Sequence, residues 1–146
     1  IRFMESDTLT PGDKTTVIDT EYCRIGVAIC YDVRFPELVR SLTVPGLDVL
    51  FVVSQWPAVR ISHLQSLTVA RAIENQIFLV CCNSCGKADE AQYGGNSAVI
   101  DPWGETVALA GADEQILTVT CDLTIVHKIR GKIPVFRDRR PDLYRC

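Results

Sequence analysis

Histidine is scarce in this chain: of 146 residues, only His63 and His127 carry an imidazole. A histidine-rich metal site or a papain-like cysteine–histidine pair therefore has little to draw on. His63, in a helical stretch soon after a strand end, is the one candidate proton carrier, and a plain helix-surface histidine is the competing reading. Basic charge is not in excess either. Fifteen Lys and Arg against 18 Asp and Glu leave a formal charge of −3, so no positive field invites nucleic acid or an anionic membrane. No apolar segment approaches the length of a membrane span, the first residues do not read as a signal peptide, and no repeat or low-complexity tract is visible. Also missing is the G-x-nucleophile-x-G elbow of α/β-hydrolases, since Ala28 and Asp32 flank Cys30.

What is present is a globular composition, 47% hydrophobic and 23% charged, with length for one domain and a sizeable core. The chain opens on Ile1 in mid-phrase, which suggests a fragment of a longer protein. Seven cysteines are many for this length, and their odd count and irregular spacing argue against a secreted disulfide scaffold. A reducing, cytoplasmic setting is the expectation. Cys82-x-x-Cys85 invites a metal or redox reading, but zinc asks for a second ligand pair and a thioredoxin-like motif would open a helix. Small buried thiols are the simpler account, and no metal ligand is assigned.

Periodicity gives the organisation. Thr10-Pro11-Gly12-Asp13 is turn chemistry. Strands are expected at 15–18, 24–29, 49–53 and 77–82, the second so uniformly apolar that burial on both faces is predicted. Helices are expected from Pro36 to about Pro45-Gly46 and over 62–75, giving alternating strands and helices and an α/β layer. Beyond them, 97–100 and 106–110 read as a hairpin about Asp101-Pro102-Trp103-Gly104. A strand is expected over 115–121, then a helix over 123–130 with Asp122 at its start and Gly131 at its end. Tyr93-Gly94-Gly95-Asn96 reads as a flexible loop, and the tail after Pro134 as a solvated or subunit-contacting segment.

The most informative run is Gly26-Val27-Ala28-Ile29-Cys30-Tyr31-Asp32-Val33-Arg34-Phe35-Pro36-Glu37-Leu38. An apolar strand delivers one thiol and turns at once into a helix start, where backbone amides favour a thiolate. A structural core cysteine fits the same pattern, and spacing alone leaves both readings open. If Cys30 is the nucleophile, the N–H of Tyr31 is placed to donate to an oxyanion. Trp56, in the loop Ser54-Gln55-Trp56-Pro57 after a strand end, either walls the substrate pocket or fills core. Asp32 is expected to accept backbone hydrogen bonds in the turn. Arg34 and Glu37 either pair or stay solvated, and Arg71 and Glu74 are expected to pair along one helix.

These residues closely resemble the nucleophile motif of the nitrilase superfamily, the carbon–nitrogen hydrolases. Phe3-x-Glu5-Ser6-x-Thr8-Leu9-x-Pro11-Gly12, Ala70-Arg71-Ala72-Ile73-Glu74-Asn75-Gln76, Asp101-Pro102-Trp103-Gly104-Glu105 and Ile133-Pro134-Val135-Phe136-x-x-Arg139-Arg140-Pro141-x-Leu143-Tyr144 extend the likeness across the chain. It is nearest to the omega-amidase-like branch. The resemblance implies part of an α-β-β-α four-layer sandwich and a Glu–Lys–Cys triad with Cys30 as nucleophile. Glu5 then matches an additional acid that helps position the lysine and substrate. The base glutamate and the lysine belong upstream of Ile1, so residues 1–146 resemble the C-terminal half of one domain. The implied reaction cleaves a small omega-amide, such as a 2-oxo acid amide, to carboxylate and ammonia through a cysteine thioester. It implies no cofactor, a small-molecule amide as partner, and a homo-oligomer. A non-catalytic scaffold relative and a thiol redox or metal protein are the alternatives.

Overall fold

The computed structural model describes residues 7–88 and 90–144. Glu5 lies outside them. The elements run β1 (Val17–Asp19), β2 (Arg24–Ile29), a 3-10 turn (Cys30–Arg34), α1 (Pro36–Thr43), β3 (Val49–Ser54), a second 3-10 turn (Ala58–Arg60) and α2 (Ile61–Asn75). They continue with β4 (Phe78–Asn83), β5 (Cys85–Ala88), β6 (Ala91–Gly94), β7 (Ala98–Ile100), β8 (Thr106–Leu109) and α3 (Thr124–Lys132). Six strands form one sheet in the order β1-β2-β3-β4-β7-β8, and β5 and β6 form a separate hairpin. β2, β3 and β4 run parallel, with Ile29 opposite Val53 and Val53 opposite Cys82. β1 and β7 flank them antiparallel. A parallel core with helical crossovers is what strand–helix alternation dictates.

The two sheet faces are treated differently. Ala28, Leu50, Val52, Leu79, Cys81 and Ile100 join Val39, Leu42, Leu64 and Ala72 in one core under α1 and α2. On the opposite face Val49, Phe78 and Val99 pack with Val126 of α3. That cover ends part-way along the strands: Val27 (40% exposed), Ile29 (63%), Phe51 (36%) and Val53 (45%) lie open. The double burial expected for β2 is therefore corrected. Its residues alternate between buried and exposed because no described element covers the far end of that face.

Two other expectations change. Residues 115–121 form no strand and are mostly exposed. α3 continues through Gly131, where a Cβ would meet nothing, and ends against Ile133-Pro134. Asp122 does hold its start, accepting from the N–H and hydroxyl of Thr124 at 3.0 and 2.7 Å. The 101–104 turn is closed by Asp101 Oδ1, which accepts the N–H groups of Trp103 and Glu105. In the tail, Phe136 lies against the guanidiniums of Arg40 and Arg130, at 5.2 and 5.4 Å. Among the described residues no helix is long and apolar enough to cross a membrane.

Candidate active site

The turn after β2 is bent at Cys30 itself. Its φ of +46° lies in the left-handed region, which a residue with a side chain enters at a cost of about 1–2 kcal/mol. The surroundings hold it there. Ile29 N–H donates to Asp32 Oδ2 at 2.9 Å, and Phe35 N–H donates to the Asp32 carbonyl at 3.0 Å. Asp32 thus serves the backbone of the bend, as its position in the sequence suggested. Val33 is fully buried beneath the turn, and its carbonyl accepts Arg71 Nε at 3.0 Å. Arg71 also meets Glu74 at 2.9 Å, the helical pair the spacing predicted. No Arg34–Glu37 ion pair forms among the described residues. Arg34 instead lies 4.6 Å over the Trp56 ring and 5.9 Å from that of Tyr31.

Cys30 opens onto a cavity of about 420 Å³ lined by Ile29, Cys30, Val53, Ser54, Gln55, Cys82, Asn83 and Ser84. These are the carboxyl ends of β2, β3 and β4 and the residues just beyond, the edge where open α/β sheets bind ligands. Among the described residues the lining holds thiols, hydroxyls and amides but no carboxylate, amine or imidazole. His63 and His127 are exposed on helices, and neither lines it. Tyr31 stands in the first turn, where N–H groups have no partner inside the helix, and its ring is exposed and edge-on to Phe35.

Of the two places expected for Trp56, the structure takes the core and not the pocket wall. At 3% exposed it sits in the core cluster and not in the cavity lining, with its indole N–H given to the Arg60 carbonyl at 2.8 Å. Asn83 is the site residue that sequence reasoning missed. Its Oδ1 accepts Trp56 N–H and its Nδ2 donates to the Gly95 carbonyl, both at 2.7 Å. An amide side chain closing the apolar run Phe78–Cys82 was the available signal. Tyr93 and Gly94 belong to β6 and are buried, so of the expected loop only Gly95 and Asn96 lie outside a strand. Gly94 N–H donates to Trp56 and Gly95 N–H to Ser84.

The sulfurs divide by face. Cys81 is buried on the helix side, and burial pushes its thiol from 9.0 up to about 12, with Cys82 and Cys30 adding to the effect. Cys82 is exposed on the open face, against the expectation of a buried thiol. The described cysteines are all free, and no group of three or more His, Cys, Asp or Glu among the described residues could hold a metal.

The profile of carbon-nitrogen hydrolases matches residues 1–130. The chain belongs to the carbon–nitrogen hydrolase family. This hydrolase chain is 41% identical over 136 residues to 2-oxoglutaramate amidase of Bacillus subtilis (strain 168), covering 93% of itself and 52% of that protein. It is 43% identical over 151 residues to omega-amidase NIT2-A of Xenopus laevis, covering 99% of itself and 53% of the relative. It therefore spans about half the length of the curated relatives it matches. Nit3 of Saccharomyces cerevisiae, a member of branch 10 of the nitrilase superfamily, superposes with a TM-score of 0.86 at 36% identity over 93% of this chain and 51% of Nit3. An amidase of Nesterenkonia sp. AN1 gives 0.86 at 27% identity, over 99% and 52% of the two chains. In that amidase, a glutamate-to-glutamine mutant shows covalent addition of the acetamide moiety of fluoroacetamide at the active site cysteine.

Proposed function

We propose that this chain is the C-terminal half of a carbon–nitrogen hydrolase domain that cleaves small omega-amides, with Cys30 as the nucleophile. One observation carries the reading: a strained bend holds Cys30 at the carboxyl edge of the parallel strands, opening onto a cavity of about 420 Å³. The Cys30 sulfur attacks the amide carbon, and the oxyanion that forms takes a hydrogen bond from Tyr31 N–H. Collapse breaks the C–N bond, the nitrogen takes a proton and leaves as ammonia, and a thioester remains on Cys30. Water then cleaves the thioester to the carboxylate and restores the thiol.

Proton transfer needs a base and acid that the cavity lining does not contain. A glutamate and a lysine outside this chain supply it in this account, and Glu5 helps to orient them. Trp56 acts from behind the site, supporting Arg34 and, through Asn83, the cavity wall. The uncovered apolar end of the sheet supports the half-domain reading, because a second sheet of an α-β-β-α sandwich would bury it. A 2-oxo acid amide is the favoured substrate, in keeping with the name of the Bacillus relative. The free thiols fit a reducing cytoplasm, and a homo-oligomer of the complete protein is proposed from family likeness.

The test is ammonia release from a panel of omega-amides. The complete protein should turn over at least one, Cys30→Ser should abolish this, and the 146-residue chain alone should be inactive. Turnover by the isolated chain equal to that of the complete protein refutes the half-domain account. A complete protein inert to every amide supports the scaffold alternative.

A further inference from the structure

The mechanism above leaves Ser54 idle, although it stands next to the nucleophile. Ile29 pairs with Val53 and Ser54 pairs with Asn83, so Ser54 lies between the Cys30 bend and Asn83 along the strand ends. It lines the cavity, and its Oγ is buried with no hydrogen-bond partner among the described residues. A buried hydroxyl left in that state costs about 1–3 kcal/mol, a cost removed when something else supplies the bond. Several of the nearby polar groups are already used. Asn83 holds Trp56 and Gly95, Ser84 N–H is given to the Ser54 carbonyl, and Ser97 Oγ accepts Asn83 N–H.

Geometry narrows what can meet this hydroxyl. Strand alternation puts Ser54 on the face of Leu50 and Val52, and Cys30 packs against the cluster those two residues belong to. Thiol and hydroxyl therefore share one side of the sheet. Neighbouring strands are about 4.8 Å apart, so a carbon bonded by Cys30 keeps its own substituents within reach of Ser54, whereas the far end of the acyl chain is beyond it. One substituent, the oxyanion, is assigned to Tyr31 N–H. The amino group is the other.

We propose that the Ser54 hydroxyl accepts a hydrogen bond from the NH₂ of the scissile carboxamide and so selects primary amides over esters of the same acid. The proposal rests on the amidase reading and extends it to leaving-group recognition. An ester has no N–H to offer, which makes the contact separable from packing.

The experiment compares kcat/KM for succinamate and monomethyl succinate on the complete protein, with wild type, Ser54→Ala and Ser54→Thr. Ser54→Ala should lower the amide-to-ester ratio about tenfold, the effect of one hydrogen bond of about 1.4 kcal/mol, and Ser54→Thr should restore most of it. An equal loss on both compounds makes Ser54 a packing residue and overturns the proposal. Should wild type turn over neither compound, the amide panel above decides the amidase reading separately, and calorimetric binding of both compounds to the Cys30→Ala protein decides the Ser54 contact. Weaker succinamate binding in Cys30→Ala/Ser54→Ala, with monomethyl succinate unchanged, upholds the contact. Unchanged binding, or none to the Cys30→Ala protein, overturns it.

Discussion

Arg71 Nε donates to the carbonyl oxygen of Val33 at 3.0 Å, so α2 holds the turn that presents Cys30. The guanidinium is buried and also reaches Glu74, which leaves little water to replace it. Arg71→Met should destabilise the complete protein by about 2–4 kcal/mol, because a buried carbonyl and a carboxylate lose their donor together. Arg71→Lys should recover only part, since an ammonium lacks the planar fork. Urea denaturation checks both, and a loss under about 0.5 kcal/mol would show that the tie is unimportant.

Asn83 is the second tie, between the loop after β3 and the end of β6. Removing its amide leaves Trp56 N–H and the Gly95 carbonyl without partners. Asn83→Ala should cost about 2–4 kcal/mol and raise hydrogen exchange at the Trp56 amide, which loses its acceptor. Unchanged exchange at that amide would contradict the assignment.

Gly95 has φ +57°, and a Cβ there would stand 2.6 Å from the Gly111 carbonyl oxygen. The obstacle is backbone, so it has no easy retreat. Gly95→Ala should destabilise by about 2 kcal/mol or more, read from the denaturation midpoint, while Gly86→Ala, with nothing within 4 Å, meets only the φ penalty. Equal losses at the two glycines would remove the steric argument.

Cys81 makes stability fall in alkali. Its folded thiol is pushed up from 9.0 to about 12 by burial, so the stabilisation is complete below pH 9 and is lost as pH rises toward 12. The full gap corresponds to about 4 kcal/mol. Denaturation midpoints measured from pH 8 to 11 should decline, and Cys81→Val should flatten the decline. Cys121, shifted the same way by burial, leaves a residual slope. An identical slope in Cys81→Val and wild type would show that another group governs it.

Where the chain's own periodicity dominates, sequence and structure coincide. β2 has the expected bounds, and α2 and β4 agree to within a residue, because apolar runs and helical spacing act locally. The Cys30 bend was legible for the same reason, an apolar strand cut off by Tyr31-Asp32. Features that depend on distant partners were not. The open end of the sheet is apolar on both faces in sequence, and only the position of α3 reveals which part is covered. Asn83 and Ser54 look like ordinary strand-end polar residues until the register places them beside Trp56 and Cys30. Trp56 reads as a loop residue, yet Asn83 and Arg60 draw it into the core.

The central claim is tested most directly by trapping the acyl-enzyme. The complete protein should be mixed with an omega-amide that it hydrolyses, quenched in acid during steady state, and its peptides mapped by mass spectrometry. The account predicts an acyl adduct on the peptide containing Cys30 and none on those containing Cys81, Cys82 or Cys85. An adduct on another residue, or undiminished ammonia release by Cys30→Ala, would contradict it.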